Sequence, residues 1–114
     1  MIATHLLRHV LVAATVGWMG VAASQPLERP LDAERRAEIV QMVRQDCGSC
    51  HGLTLKGGLG PSLLPEALAD KDPEVLAYVI RNGRRGTPMP PWREHLTGIE
   101  ARWVVEQLRK GFPE

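Results

Sequence analysis

Cys47, Cys50 and His51, in the run Cys47-Gly48-Ser49-Cys50-His51, are the residues whose types and spacing define a chemistry. Thiols separated by two residues can each add S–H across one vinyl group of haem, forming two thioether bonds. The imidazole beside the second thiol is then held under the iron, where its Nε2 can become the proximal ligand. This is the pattern of c-type haem attachment. Both of the 2 cysteines in the chain lie inside it, so no other cysteine chemistry remains to be explained.

Three other readings of these five residues exist. A redox-active pair of the thioredoxin type belongs in a βαβ setting with a helix N-terminus lowering the first thiol's pKa, whereas the residues before Cys47 have helical period. Tetrahedral zinc would need a fourth protein ligand, and beyond the N-terminal stretch only the isolated His95 is left to offer one. A plain disulfide would leave His51 without a role. Haem c accounts for all three side chains.

A haem iron with His51 on one side has one axial position left. Past the N-terminal stretch the methionines are Met42 and Met89. Met42 lies five residues before Cys47 on the same predicted helix, and reaching the opposite haem face would require a sharp fold-back. Met89 sits in Thr87-Pro88-Met89-Pro90-Pro91-Trp92, where prolines fix φ and reduce the freedom the loop must lose on docking. Met89 is therefore the expected distal ligand and His95 its rival. Paired Met/His ligation fills both axial sites and raises the reduction potential, which points to electron transfer and away from catalysis at iron.

The elements that must position these groups read as helices. Asp32 is a good N-cap with Glu34 in the first turn, and Ile39, Val40 and Val43 share the face that delivers Cys47. Gly52, Gly57, Gly58 and Gly60 then indicate a tight loop, one able to bring backbone close to a flat cofactor. A short helix is expected over 65–69. A second opens at Asp72-Pro73, buries Leu76, Val79 and Ile80, and stops at Asn82-Gly83. Thr97-Gly98-Ile99-Glu100 is a capping box for a last helix with Trp103, Val104 and Leu108 as its apolar stripe. No segment alternates with period two. The predicted domain is all-α, with about four helices wrapped around one covalently bound haem.

At 114 residues the chain is one domain at most. Residues 1–24 read as a secretory signal peptide: Arg8 with His5 and His9, an uncharged stretch from Val10 to Ala23, and small residues Val21-Ala22-Ala23-Ser24 at the cleavage positions. The uncharged stretch is shorter than the roughly 20 residues a membrane-crossing helix needs, so no stable membrane anchor is expected. Residues 25–31 form an extended lead-in and 32–114 the folded domain. Cleavage removes Arg8, one of 14 Lys and Arg, leaving them equal to the 13 Asp and Glu. Nothing in that balance suggests nucleic-acid binding. Export to the periplasm fits thioether attachment, which in bacteria takes place outside the cytoplasmic membrane with the cytochrome c maturation machinery.

The order helix, CxxCH, Gly-Pro loop, helix ending Asn-Gly, Met-Pro-Pro-aromatic and capped terminal helix resembles the class I cytochromes c over nearly all of residues 25–114. That resemblance implies that the Pro61 carbonyl accepts a hydrogen bond from His51 Nδ1, and that the first and last helices cross near the haem, with Trp103 either in that contact or an ordinary core residue. Asp46 to Pro61, Gly86 to Trp92 and Lys110-Gly111-Phe112-Pro113-Glu114 are similar to the NirC-type small periplasmic cytochromes, which accompany cytochrome cd1 nitrite reductase in denitrifying bacteria. This likeness implies electron donation to that reductase or, alternatively, a redox or assembly step in maturing its haem d1. Arg81, Arg84, Arg85 and Arg93 crowd the segments around Met89. They either dock an acidic partner or divide between haem propionates and solvent.

Overall fold

The computed structural model describes residues 30–113. The expected leader, and the lead-in apart from Pro30 and Leu31, lie outside them. Helix α1, Ala33–Met42, starts where expected: the Asp32 carboxylate accepts the Arg35 backbone N–H at 2.8 Å. It continues without a break through a π-helical turn, Val43–Cys47, into α2, Gly48–His51. The π turn was not foreseen. It is a local widening of the helix of the kind often found beside functional residues, and here it carries the chain into the Cys-His motif.

Helix α3, Pro65–Leu68, and α4, Pro73–Asn82, both open on proline at a position whose missing N–H costs nothing. Asp72 caps α4 through the amides of Glu74 and Val75, at 2.7 and 3.3 Å. Helix α5, Gly98–Lys110, has the full capping box: Thr97 Oγ1 accepts the Glu100 N–H at 3.2 Å, and Glu100 Oε2 accepts the Thr97 N–H at 2.8 Å. The continuous rod from Ala33 to His51 together with α3, α4 and α5 makes the expected all-α arrangement, with no strand among the described residues.

Ile39, Val43, Leu55, Leu68, Leu96, Val104 and Leu108 pack into one core, and Ala77, Ala101 and Val105 bring α4 and α5 into close contact. Each large aliphatic side chain so buried contributes about 1.5–3 kcal/mol. Leu76, Val79 and Ile80, expected as the buried face of α4, are only half-buried. They turn toward a cavity, described below. Trp103 is half-buried on the other side, 6.0 Å below the guanidinium of Arg36.

Two contacts tie the first helix to the chain's end. Arg35 clasps the buried Glu100 carboxylate through Nε at 2.6 Å and Nη2 at 3.2 Å, and also donates to the His95 carbonyl at 2.8 Å. Arg44 donates to the Pro113 carbonyl and lies 5.9 Å over the Phe112 ring. The hydrogen bonds from Arg35 hold the Glu100 carboxyl below its ordinary value of 4.5, against the opposing effect of burial, and Glu100 raises the guanidinium pKa in return.

Removing one partner of a buried pair strands the other, at about 3–5 kcal/mol. Glu100→Ala is expected to lose stability of that order in chemical denaturation. Because the folded-state pKa of Glu100 is depressed, its contribution is complete above the ordinary 4.5 and is lost as pH falls through the lower folded value. Glu100→Gln should therefore lack the part of the wild-type acid limb that Glu100 causes.

Candidate functional site

Cys47 closes the π turn, and Cys50 and His51 lie one turn further along α2. The i, i+3 spacing brings both thiols to one side of the helix. His51 Nδ1 lies 2.7 Å from the Pro61 carbonyl oxygen. A carbonyl can only accept, so Nδ1 carries the proton and Nε2 is left with its lone pair, the form in which a histidine binds metal.

The glycine loop is built around that ring. Gly57 N–H donates to the His51 carbonyl and Gly60 N–H to the Cys50 carbonyl, each at 2.8 Å, satisfying the last carbonyls of α2. A Cβ on Gly60 would sit 2.8 Å from His51 Nδ1 and Cε1. The requirement for glycine here is thus the approach of backbone to the imidazole. Leu55, a residue the sequence did not mark, anchors the loop: its side chain is buried in the core although its φ of 60° lies in the left-handed region.

Cys47 does not resemble an activated redox thiol. Burial, followed by the negative charge of Asp46, pushes the Cys47 thiol up to about 11, the opposite of the depressed value that activates a thioredoxin-type cysteine. No disulfide joins Cys47 and Cys50. Among the described residues no three His, Cys, Asp or Glu side chains converge as a metal cage. His95 is exposed and packs against Trp92, with ring centroids 5.8 Å apart.

The Met89 segment is pinned to the end of α4. Arg84 N–H donates to the Met89 carbonyl at 3.2 Å, Trp92 N–H to Ile80 and Arg93 N–H to Arg81. Gly83, at φ 69°, permits the crossing, since a Cβ there would meet the Met89 carbonyl oxygen at 2.7 Å. Cys47, Cys50, His51 and Met89 all line one cavity of about 1040 Å³, walled by Leu76, Val79, Ile80, Val104 and Leu108. Leu59 and Val75, which also line it, are 78% and 58% exposed. Met42, His95 and Trp103 are not among its lining residues. The residues fit a covalently held haem: a large apolar cleft, two thiols, an oriented imidazole and a thioether, with exposed aliphatic groups that a flat apolar ring would cover.

Residues 32–107 match the family model described as cytochrome C oxidase, cbb3-type, subunit III. Cytochrome c55X of Paracoccus denitrificans is 52% identical over 81 residues, covering 71% of this chain and 79% of that protein. The solved structure of the c-type cytochrome NirC superposes with a TM-score of 0.69 at 51% identity, over 70% of this chain and 94% of NirC. The dihydro-heme d1 dehydrogenase of Pseudomonas aeruginosa is 33% identical over 103 residues, which are 90% of this chain but 19% of the dehydrogenase.

Gly60→Ala should force the His51 ring from the Pro61 carbonyl. Overpacking of this kind costs about 1–3 kcal/mol, and thermal melts followed at the haem absorption band are expected to show it. A variant as stable as the parent, with an unchanged spectrum, would contradict the close packing of ring and backbone.

Proposed function

The chain belongs to the NirC-type small c-type cytochromes, which carry haem c, and on that footing we propose that it is a periplasmic one-electron carrier of the nitrite reductase system. Cys47 and Cys50 would supply the thioether sulfurs, and His51 Nε2 and the Met89 thioether would hold the iron. The arrangement that carries this reading is His51, oriented by Pro61, facing the same cavity as Met89.

The bound haem supplies a one-electron couple. The chain's own contribution is to hold its ligands still. Pro61 fixes the tautomer and direction of His51. Pro88, Pro90 and Pro91 stiffen the segment that presents the weak Met89 ligand. The aliphatic walls would keep water from a bound haem, and His51 with Met89 would leave no position for a substrate. Among the described residues no helix is long and apolar enough to cross a membrane. The leader expected over residues 1–24 supports release into the periplasm.

Cytochrome cd1 nitrite reductase is the proposed electron acceptor. A second reading is favoured by the likeness to dihydro-heme d1 dehydrogenase, in which a domain like this one occupies a minor share of a larger chain. The separate chain would then serve as a redox or assembly factor while haem d1 is matured.

Met89→Ala should abolish the near-infrared sulfur-to-iron band of the oxidised protein and lower the reduction potential, because a water-filled site favours ferric iron. Survival of the band would reassign the distal ligand. For the partner, the reduced cytochrome mixed with oxidised cytochrome cd1 in a stopped-flow instrument should be oxidised in a second-order, salt-dependent reaction. No electron transfer, coupled with loss of haem d1 from the reductase in a deletion strain, would select the maturation role.

A further inference from the structure

The arginines around Met89 do not form one surface. Arg81 is half-buried against the start of α5, its Nη1 3.7 Å from where a Gly98 Cβ would lie, and its Nε is buried without a partner. Arg84, Arg85 and Arg93 are all exposed, and Arg93 lies 3.8 Å from Glu94. Only Arg84 of the four lines the cavity. Among the described residues its guanidinium has no hydrogen-bond or ion-pair partner.

The other charged or titratable groups facing the cavity are committed or of the wrong sign. His51 donates to Pro61, and Lys71 Nζ holds Asp70 at 3.2 Å. Asp72 caps α4, and Asp46 is an anion next to Cys47. The cavity is otherwise walled mainly by aliphatic side chains, and among the described residues Arg84 is the lining cation without an ion-pair or hydrogen-bond partner. A haem c brings two carboxylates. Asp46 and Asp72 repel them, and a planar guanidinium fork is suited to bind one.

We infer that Arg84 binds a haem propionate and, through its backbone, ties that anchor to the segment presenting Met89. The tie consists of Arg84 N–H to the Met89 carbonyl at 3.2 Å, with the Arg84 carbonyl accepting from Thr87 N–H and Oγ1 at 3.1 and 2.7 Å. Arg84 is a positioning residue whose charge also acts on the iron. A propionate left unpaired stabilises the oxidised, more positive metal, so pairing it raises the reduction potential. The inference rests on the haem reading of the site.

The experiment uses the holoprotein, with one covalent haem confirmed by mass. Absence of haem would overturn the site itself and is thereby distinguished from failure of the Arg84 assignment. Arg84→Gln should keep the covalent haem, lower the midpoint potential and shift the propionate-bending band in the resonance Raman spectrum. Arg85→Gln should leave both readings at wild type. Arg84→Lys, which retains the charge but not the fork, should hold the potential near wild type while the Raman band still shifts. This variant decides the matter even if Arg84→Gln accumulates poorly. A Raman band unmoved in Arg84→Lys, or a potential in Arg84→Gln no lower than in Arg85→Gln, would return Arg84 to the solvated surface.

Discussion

The polypeptide encloses a core that its own side chains do not complete. Leu76, Val79 and Ile80 stand half-buried along α4, and Leu59 and Val75 are largely bare at the edge of a cleft of about 1040 Å³. A domain this small has little apolar surface to bury against itself. Each aliphatic group left facing water forfeits stabilisation of about 25 cal/mol per Å². The covalent haem c is therefore part of the core as well as the redox centre, and the positions of α3, α4 and the Met89 segment make sense only around it.

Rigidity follows from how the two sides of the cleft are fastened. On one side the glycine loop closes over the His51 ring, with Leu55 held in a left-handed conformation that burial in the core over-determines. On the other, the Met-Pro-Pro segment borrows the free carbonyls at the C-terminal end of α4. Neither side depends on a long, loose connection. Loops fastened this firmly leave His51 and Met89 little room to move, which suits an electron carrier.

Much of this was legible in the chain because it is local. The caps at Asp32, Asp72 and Thr97 and the stops at Gly83 and Gly111 are written in neighbouring residues, and each falls where its residue type requires. The cysteine–histidine spacing and the proline-framed methionine needed no fold to be noticed. What escaped notice is non-local or finer than periodicity. The π turn shifts a hydrogen-bond ladder without altering the apolar pattern. Glu100 was visible as half of a capping box, but its partner Arg35 lies 65 residues away. The four arginines looked like one patch because sequence distance cannot tell a cavity wall from a helix flank. Only the fold puts the exposed Arg84 at the cavity's edge and leaves the equally exposed Arg85 off it.

The clasps between the first helix and the chain's end also impose an order of events. Arg35 waits for Glu100 across 65 residues, and Arg44 for Pro113 across 69. Closing a loop that long carries an entropic cost that local helix formation does not offset until both ends are present. A chain that emerges N-terminus first, from ribosome or membrane channel, exposes Cys47 and Cys50 while more than half of its length is still to come. Until Glu100 arrives the clasp on Arg35 cannot close, and the thiols stay more open to solvent than the half-buried Cys47 and Cys50 of the folded chain. The far-separated pairing thus works as a delay, keeping the attachment residues accessible for as long as the rest of the chain takes to appear.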